Sequence, residues 1–402
     1  MGCGNVLTKT IIPPKDGIIP GNSQIIENET FQKIKRIGKG KGAYGDVFLI
    51  RSNKTQKEYA LKAINIKNMN PQSRIKTMEE VNNLKCLDHP NIISFKCAFE
   101  SNIKVPLLNI IMEYADNGDL EEAINLHKKQ KKYFEENELL DWLLQNCLAL
   151  QYLHEKDIIH RDIKPSNIFL MKNNTIKLGD FGISKNISIF HETRTMIGTP
   201  LYLAPEIIKR KSYSYKADIW SLGTTFCHLM TLEYPFEGID DPEKIYDNVL
   251  NMNINKKIFD KDKNTYKEEI LKNYSKEFID LINELMSQEP NKRPNASQIL
   301  EKDIINNRMK YWLTNENFDL TDAEVKIQNY EKKENEELKD DFDDIGGINY
   351  NKNIIIEDQK EDNNENLEND IKSEKINEKT NYDFLRQMSF IHKSFKRNYT
   401  KK

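Results

Sequence analysis

The sequence predicts an α+β fold of two lobes: an antiparallel β-sheet lobe carrying one main helix, then a larger, mostly helical lobe. Three observations carry this. From Phe31 to Ala63, apolar and polar residues alternate in FQKIKRIG, DVFLIRS and EYALKAI around Gly and Asn breaks, the pattern of antiparallel strands. Residues 72–87 then place Ile75, Met78, Val81, Leu84 and Leu87 at helical spacing. Beyond Tyr114 the period changes to helical, with Leu139, Trp142, Leu143, Leu150 and Leu153 on one stripe of residues 138–154. Strands first and helices later fold as two lobes with a cleft between them.

Taken in order, residues 1–30 hold Pro13, Pro14, Pro20 and several Gly and Asn, and read as an irregular leader. The three strands and the helix follow, with HPNII and LLNIIMEY as further strands. Additional helices fit 216–231 and 275–287, and the composition shifts past about residue 313, so the globular domain is expected over residues 31–313. In 314–380, Glu, Asp, Asn and Lys dominate and acidic residues outnumber basic ones about two to one. Such a stretch buries too little apolar surface to offset the entropy of ordering, so disorder is expected. It shows no sustained heptad, hence no coiled coil. In residues 381–402 the charge reverses: Arg386, Lys393, Lys396, Arg397, Lys401 and Lys402 interleave with Phe384, Leu385, Phe390, Ile391 and Phe395. That is a basic amphipathic segment for a membrane or a docking partner, or a solvated end pairing loosely with the acidic stretch.

At 402 residues the chain exceeds one average domain. Hydrophobic residues at 38% and charged residues at 31% suit one globular body with polar flanks. A net charge of −3 gives no pull toward nucleic acid. No run of about 18 apolar residues suggests a spanning helix, and MGCGNVLTKT lacks the layout of a signal peptide. The five cysteines (Cys3, Cys86, Cys97, Cys147, Cys227) form no CxxC pair, which fits reduced cytosolic thiols better than disulfides or zinc. Met1-Gly2-Cys3 invites myristate on Gly2 and palmitate on Cys3, and two chains anchor stably where one does not. Against this, the motif wants Ser or Thr where Val6 stands, so a plain cytosolic start is the alternative.

The segment Gly40-Lys41-Gly42-Ala43-Tyr44-Gly45-Asp46-Val47 reads G-x-G-x-x-G-x-V. Glycines let the backbone turn sharply and bring N–H groups close to phosphates. It lies between two strand patterns, not before a helix, which argues against a Rossmann unit, and no GK[ST] ends it, which excludes a P-loop. Gly38 and Lys41-Gly42 lengthen the turn by two residues after Ile37, so the loop is expected to close less tightly on a nucleotide. Lys62 follows in YALK. Between His160 and Glu206 the chain then reads HRDIKPSN, GDFG and GTPLYLAPE.

Those strings resemble, in order and spacing, the signature set of protein kinases, over residues 31–313. The resemblance implies a two-lobed kinase fold and transfer of the γ-phosphate of ATP, with Mg²⁺, to protein hydroxyls. Asp162 would accept the substrate hydroxyl proton, and Lys164 would reach the γ-phosphate. Lys62 would pair the α- and β-phosphates as a point charge. Its partner would be a Glu on the following helix, Glu80 in preference to Glu79 because Glu80 shares the face of Leu84. Asn167 and Asp180 would hold Mg²⁺, a hard cation that prefers oxygen. Gly40, Gly42, Gly45, Val47 and Ala60 would line the nucleotide, with Met112 as gatekeeper and backbone groups of Glu113 and Ala115 on adenine. DIKPSN resembles Ser/Thr kinases, and Thr199 resembles the residue that steadies Asp162 and Lys164 there. Glu206 paired with Arg293, and Asp218 in DIWSLG, would be fold staples.

Within kinases, MEYADNGDL, LLDWLLQNCLALQYLHEKDIIHRDIKPSNIFL, IKLGDFGISK and TRTMIGTPLYLAPEI are most similar to the NIMA-related (NEK) group. Cytoskeletal or ciliary partners follow from that resemblance alone. Arg161 would pair with an activation-loop phosphate on Thr195, or second on Thr193. Ile183 after DFG implies a preference for Thr acceptors. The expected location is cytoplasmic, with membrane association if Gly2 and Cys3 are acylated. The competing classes are a non-catalytic kinase-fold scaffold, a Ser/Thr kinase of another group and a small-molecule phosphotransferase. Lys62, Asp162 and Asp180 are all present, against the first, and GTPLYLAPE shapes a peptide site, against the last.

Overall fold

The computed structural model describes residues 10–11, 19–20, 29–38, 45–67, 69–101, 105–180, 201–238, 240–260, 262, 265–315, 327–328, 386 and 388–391. The chain divides into two compact units, Met1–Arg308 and Met309–Lys402. No helix among the described residues is long and apolar enough to cross a membrane.

The first lobe is one antiparallel sheet with a helix on one face. Its strands are β1 (Thr10–Ile11), β2 (Ile19–Pro20), β3 (Phe31–Gly38), β4 (Asp46–Ser52), β5 (Glu58–Asn65), β6 (Phe95–Ser101) and β7 (Leu107–Glu113), arranged β1-β3-β4-β5-β7-β6-β2. The sequence alternation sets two faces. Val47, Lys62 and Ile110 stand opposite one another across β4, β5 and β7, and so do Leu49, Ala60 and Met112. Ile64, Phe95, Leu108 and Ile110 form a core with Val81 of helix α1 (Pro71–Lys85), and Met78 and Leu84 pack against it. The other face gathers Phe31, Ile50, Tyr59, Leu61, Phe99 and Ile111.

Three details differ from the sequence reading. HPNII is not a strand; it makes a turn with a single bridge, Ile92 to Leu178, and the sixth strand is FKCAFES. Ile75 does not join the α1 stripe but stands 59% exposed. The leader is not wholly irregular. Thr10 and Ile11 pair with Gln32 and Phe31 at one edge of the sheet, and Ile19 and Pro20 pair with Ala98 and Cys97 at the other. Sheet edges offer unpaired backbone groups, and an edge tolerates a Pro because no donor is needed outward. Ile11 also packs against the second apolar cluster, so the leader both caps the edges and covers the core.

The second lobe holds α2 (Leu120–Gln130), α3 (Glu136–Glu155), the hairpin β8 (Ile168–Leu170) and β9 (Ile176–Leu178), and α4 (Pro205–Ile208). Next come α5 (Tyr215–Thr231), α6 (Pro242–Leu250), the short pair β10 (Phe259–Asp260) and β11 (Thr265–Tyr266), α7 (Glu268–Asn273), α8 (Lys276–Leu285), α9 (Ala296–Leu300) and α10 (Asp303–Asn315). The spine is α5, buried at every position from Ala217 to Thr231, with its polar members Asp218, Ser221, Thr224 and Thr231 each hydrogen-bonded inside the lobe. At Gly223 an added Cβ would lie 2.7 Å from the Leu285 Cβ, so only glycine lets α8 approach this closely. The N-terminus of α2 is capped by Asp119, whose carboxylate accepts from the Glu122 N–H at 2.9 Å. Arg308 joins α10 to α3 through a two-pronged pair with Asp141 at 2.6 Å.

In the second unit, residues 386 and 388–391 are helical, and Met388, Ser389 and Ile391 are buried. Of the acidic stretch, only residues 314–315 and 327–328 are among those described.

Ile11→Asp places a carboxylate against the apolar cluster. It is expected to cost on the order of 1–3 kcal/mol and to lower the melting temperature by several degrees, read by thermal denaturation. An unchanged melting point would mean that the leader strand contributes nothing to the lobe.

Candidate active site

The loop between α3 and β8 carries His160, Arg161 and Asp162, and a buried carboxylate holds it from below. Asp218, in the first turn of α5 and 0% exposed, accepts from the His160 N–H through Oδ2 and from the Arg161 N–H through Oδ1, each at 2.9 Å. His154 Nε2 lies 3.0 Å from the same Oδ2. These bonds fix Arg161 in the left-handed region, at φ 70°, a conformation an arginine holds only when its surroundings dictate it.

Burial pushes the His160 imidazole toward its neutral form, against the pull of Asp218, Asp162 and Asp180. Its Nδ1 lies 3.3 Å from the Asp162 amide and its Nε2 3.1 Å from the Gly179 carbonyl. A neutral ring accepts at the first and donates at the second, so one tautomer serves both loops.

Asp162 is oriented on two sides. Asn167 Nδ2 donates to its Oδ2 at 2.9 Å and to its carbonyl at 2.7 Å, and Lys164 Nζ stands 3.1 Å from Oδ2. Asn167 sits in a 3₁₀ turn begun by Pro165, which presets φ. Gly179 N–H reaches back to the Asn167 carbonyl at 3.0 Å, so Asp180 starts from the same loop. Asp180 is left-handed at φ 52° and its carboxylate meets the Lys62 ammonium. Lys62 itself is buried on the sheet face that also carries Val47 and Ala60.

The expected Glu partner of Lys62 is a different matter. Glu79 is exposed on α1, and Glu80 lies in α1 with its side chain outside the described residues. Gly2, Cys3, Gly40, Gly42, Ile183, Thr193, Thr195 and Thr199 also lie outside them. Gly45 is described: at φ 72° it occupies backbone space that a Cβ would share with the Ala63 carbonyl, so this turn requires glycine.

Among the described residues no group of three or more His, Cys, Asp or Glu is arranged to hold a metal. The asparagine and carboxylate oxygens of Asn167 and Asp180 nevertheless fit Mg²⁺, which takes few protein ligands and completes its shell with phosphate and water. Met112 packs half-buried at the end of β7, beside Ala60, and the backbone of Glu113 to Ala115 leaves the sheet there.

Below the cleft, Glu206 and Arg293 form a buried two-pronged pair at 2.7 and 2.8 Å, with the Arg293 side chain 0% exposed. Arg293 also donates to the carbonyls of Ser287 and Lys216, and its guanidinium lies 5.0 Å from the Trp220 ring centroid. Every direction of the guanidinium plane is thus used, the condition under which a buried pair is sustained. Residues the sequence reading did not single out also shape the site. Tyr202 Oη lies 3.0 Å from His228 Nδ1, and Ser221 Oγ donates to the Tyr202 carbonyl at 2.7 Å. Burial holds His228 down at about 3, so it accepts from Tyr202 as a neutral ring. The one His of α5, beside the Asp, Ser and Thr residues also buried there, was the available signal.

A model of the protein kinase domain matches residues 31–305. The chain belongs to the protein kinase family. Within it the chain is NEK-like: it is 37% identical over 287 residues to mouse serine/threonine-protein kinase Nek1, covering 71% of this chain and 22% of that protein. Against human serine/threonine-protein kinase Nek5 it is 37% identical over 290 residues, covering 72% and 38%. Against serine/threonine-protein kinase nekl-2 of Caenorhabditis elegans it is 33% identical over 285 residues, covering 69% and 74%. The chain thus spans well under half the length of the first two.

Two outcomes follow from these contacts. Arg293→Met leaves the Glu206 carboxylate buried without its partner and is expected to cost about 3–5 kcal/mol in urea denaturation; a loss under 1 kcal/mol would show that the pair is idle. Burial pushes the Asp119 carboxyl from 3.8 up to about 6, partly opposed by the Glu122 N–H. The folded state therefore binds this proton more tightly than the unfolded chain, and that contribution to stability is lost as pH rises from about 4 through about 6. Asp119→Asn is expected to flatten this portion of the stability–pH curve, read by denaturation at stepped pH.

Proposed function

We propose that the chain is an ATP- and Mg²⁺-dependent protein kinase that phosphorylates Ser and Thr hydroxyls. The observation that carries this reading is the Asp162 carboxylate, oriented by Asn167 and Lys164 in the same loop system as the Lys62–Asp180 pair.

In this mechanism the substrate hydroxyl approaches Asp162, which accepts its proton as the oxygen bonds to the γ-phosphorus. The bond from that phosphorus to the β,γ-bridging oxygen breaks, and its electron pair leaves with ADP. Lys164 stabilises charge growing on the transferring group, and Lys62 holds the α- and β-phosphates. Mg²⁺, held by Asn167 and Asp180, would neutralise phosphate charge when bound. Lys62 then exchanges Asp180 for phosphate oxygens. Val47, Ala60 and Met112 share one sheet face, which suits the adenine ring, with backbone groups of Glu113 and Ala115 along its edge.

Regulation is proposed through Arg161. Its Nε is buried with no hydrogen-bond partner among the described residues, an arrangement that an incoming phosphate on Thr195 or Thr193 would satisfy. A preference for Thr acceptors, a cytoplasmic location, cytoskeletal or ciliary partners, and acylation of Gly2 and Cys3 complete the reading as proposals from the sequence.

Phosphate transfer from labelled ATP to a general Ser/Thr substrate tests it. Wild type is expected to label the substrate, and Asp162→Asn to lose roughly 10²–10⁴-fold. Failure of both proteins to label, even with Thr195 phosphorylated, would favour a kinase-fold scaffold and direct attention to the lengthened glycine turn.

A further inference from the structure

Lys177 is a charge where none is expected. It is the middle residue of β9, between Ile176 and Leu178, both 0% exposed, and its own side chain is 5% exposed. A lone ammonium so placed would be costly. It is answered by Glu113, whose side chain is 11% exposed and whose Oε2 lies 3.1 Å from Lys177 Nζ.

The two residues belong to different lobes. Glu113 ends β7, where the chain crosses between the lobes, and Lys177 stands three residues before Asp180. Backbone bonds close a circuit around them. Glu113 N–H donates to the Ser94 carbonyl at 2.9 Å, and Ser94 N–H donates to Glu113 Oε2 at 3.2 Å. One residue earlier, Ile93 N–H donates to the Leu178 carbonyl at 3.0 Å, and Leu178 N–H donates to the Asn91 carbonyl at 2.8 Å. Each step of this ring is a hydrogen bond or an ion pair, so Glu113 cannot shift relative to β9 without breaking one.

We propose that Glu113 and Lys177 are a positioning pair for the nucleotide, fixing the distance between the backbone that meets adenine and the strand that delivers Asp180 to the phosphates. This rests on the kinase reading. Neither side chain touches the reacting atoms; the pair acts through the backbone of Glu113 and the strand before Asp180. Misplacing one end of a rigid ligand against the other weakens its binding even when both ends remain intact.

The test uses the full chain and Mg²⁺·ATP, with binding read by calorimetry and catalysis by KM for ATP and, separately, for the peptide. The double variant Glu113→Leu/Lys177→Met removes both charges together, so neither is left buried alone, and is expected to keep its melting point within a few degrees. Its affinity for Mg²⁺·ATP is expected to fall about 5- to 20-fold with KM for the peptide unchanged. Lys177→Arg, which keeps the charge, is expected to recover most of the loss. Glu113→Asp retains the charge but shortens its reach, and supplies the same comparison should the double variant not fold. Affinity of the double variant within twofold of wild type, or tighter, would overturn the proposal, and so would the same result for Glu113→Asp should the double variant not fold. Wild type that binds no Mg²⁺·ATP would instead overturn the kinase reading, and this proposal with it.

Discussion

The Asp218 carboxylate is the point on which the cleft depends. It is fully buried in the first turn of α5, and it takes two backbone N–H groups from the loop that carries Asp162. Those bonds hold Arg161 in a left-handed conformation that the residue would not choose. From there the order spreads: His160 spans to Gly179, Asn167 spans to Asp162, and Gly179 returns to Asn167. A buried carboxylate facing several donors in a low-dielectric setting bonds strongly and is expensive to leave unpaired. One side chain from the lobe's most buried helix therefore locks two loops that the sequence separates.

Three interior ion pairs share one pattern. Arg293 with Glu206, Arg308 with Asp141, and Lys177 with Glu113 are each paired at 3.1 Å or less and largely buried. Each ties elements far apart in sequence: the end of the segment bearing GTPLYLAPE to the loop before α9, α10 to α3, and β7 to β9. Surface pairs such as Lys272 with Glu268, 71% and 79% exposed, join neighbours on one helix and are worth little. The buried pairs set geometry because each partner has nowhere else to place its charge.

Much of the site was legible because its residues lie in short strings: HRDIKPSN and GDFG put Asp162, Lys164, Asn167 and Asp180 within 19 residues. Local spacing then suffices to name them. Strand alternation likewise made β3, β4, β5 and β7 readable. What was missed has a common cause. Thr10–Ile11 and Ile19–Pro20 are too short to show a period, and only open sheet edges make them strands. HPNII ends in two β-branched residues, yet its backbone bonds go to β9 in the other lobe. Ile75 fits a helical stripe on paper but falls outside the arc that the sheet covers. The short helix α2 buries just Leu120 and Ile124, too few apolar positions to stand out as a stripe.

By itself the sequence determined the α+β class, the order of strands before helices, the kinase family and the identity of the residues around Asp162, because these rest on local period and local spacing. Only the tertiary structure decided which partner each charge takes. Lys62 meets Asp180, 118 residues away, and Lys177 meets Glu113 across the lobes. Pairing of charges is a matter of distance and burial after the chain has closed on itself, and no window along the sequence contains both partners.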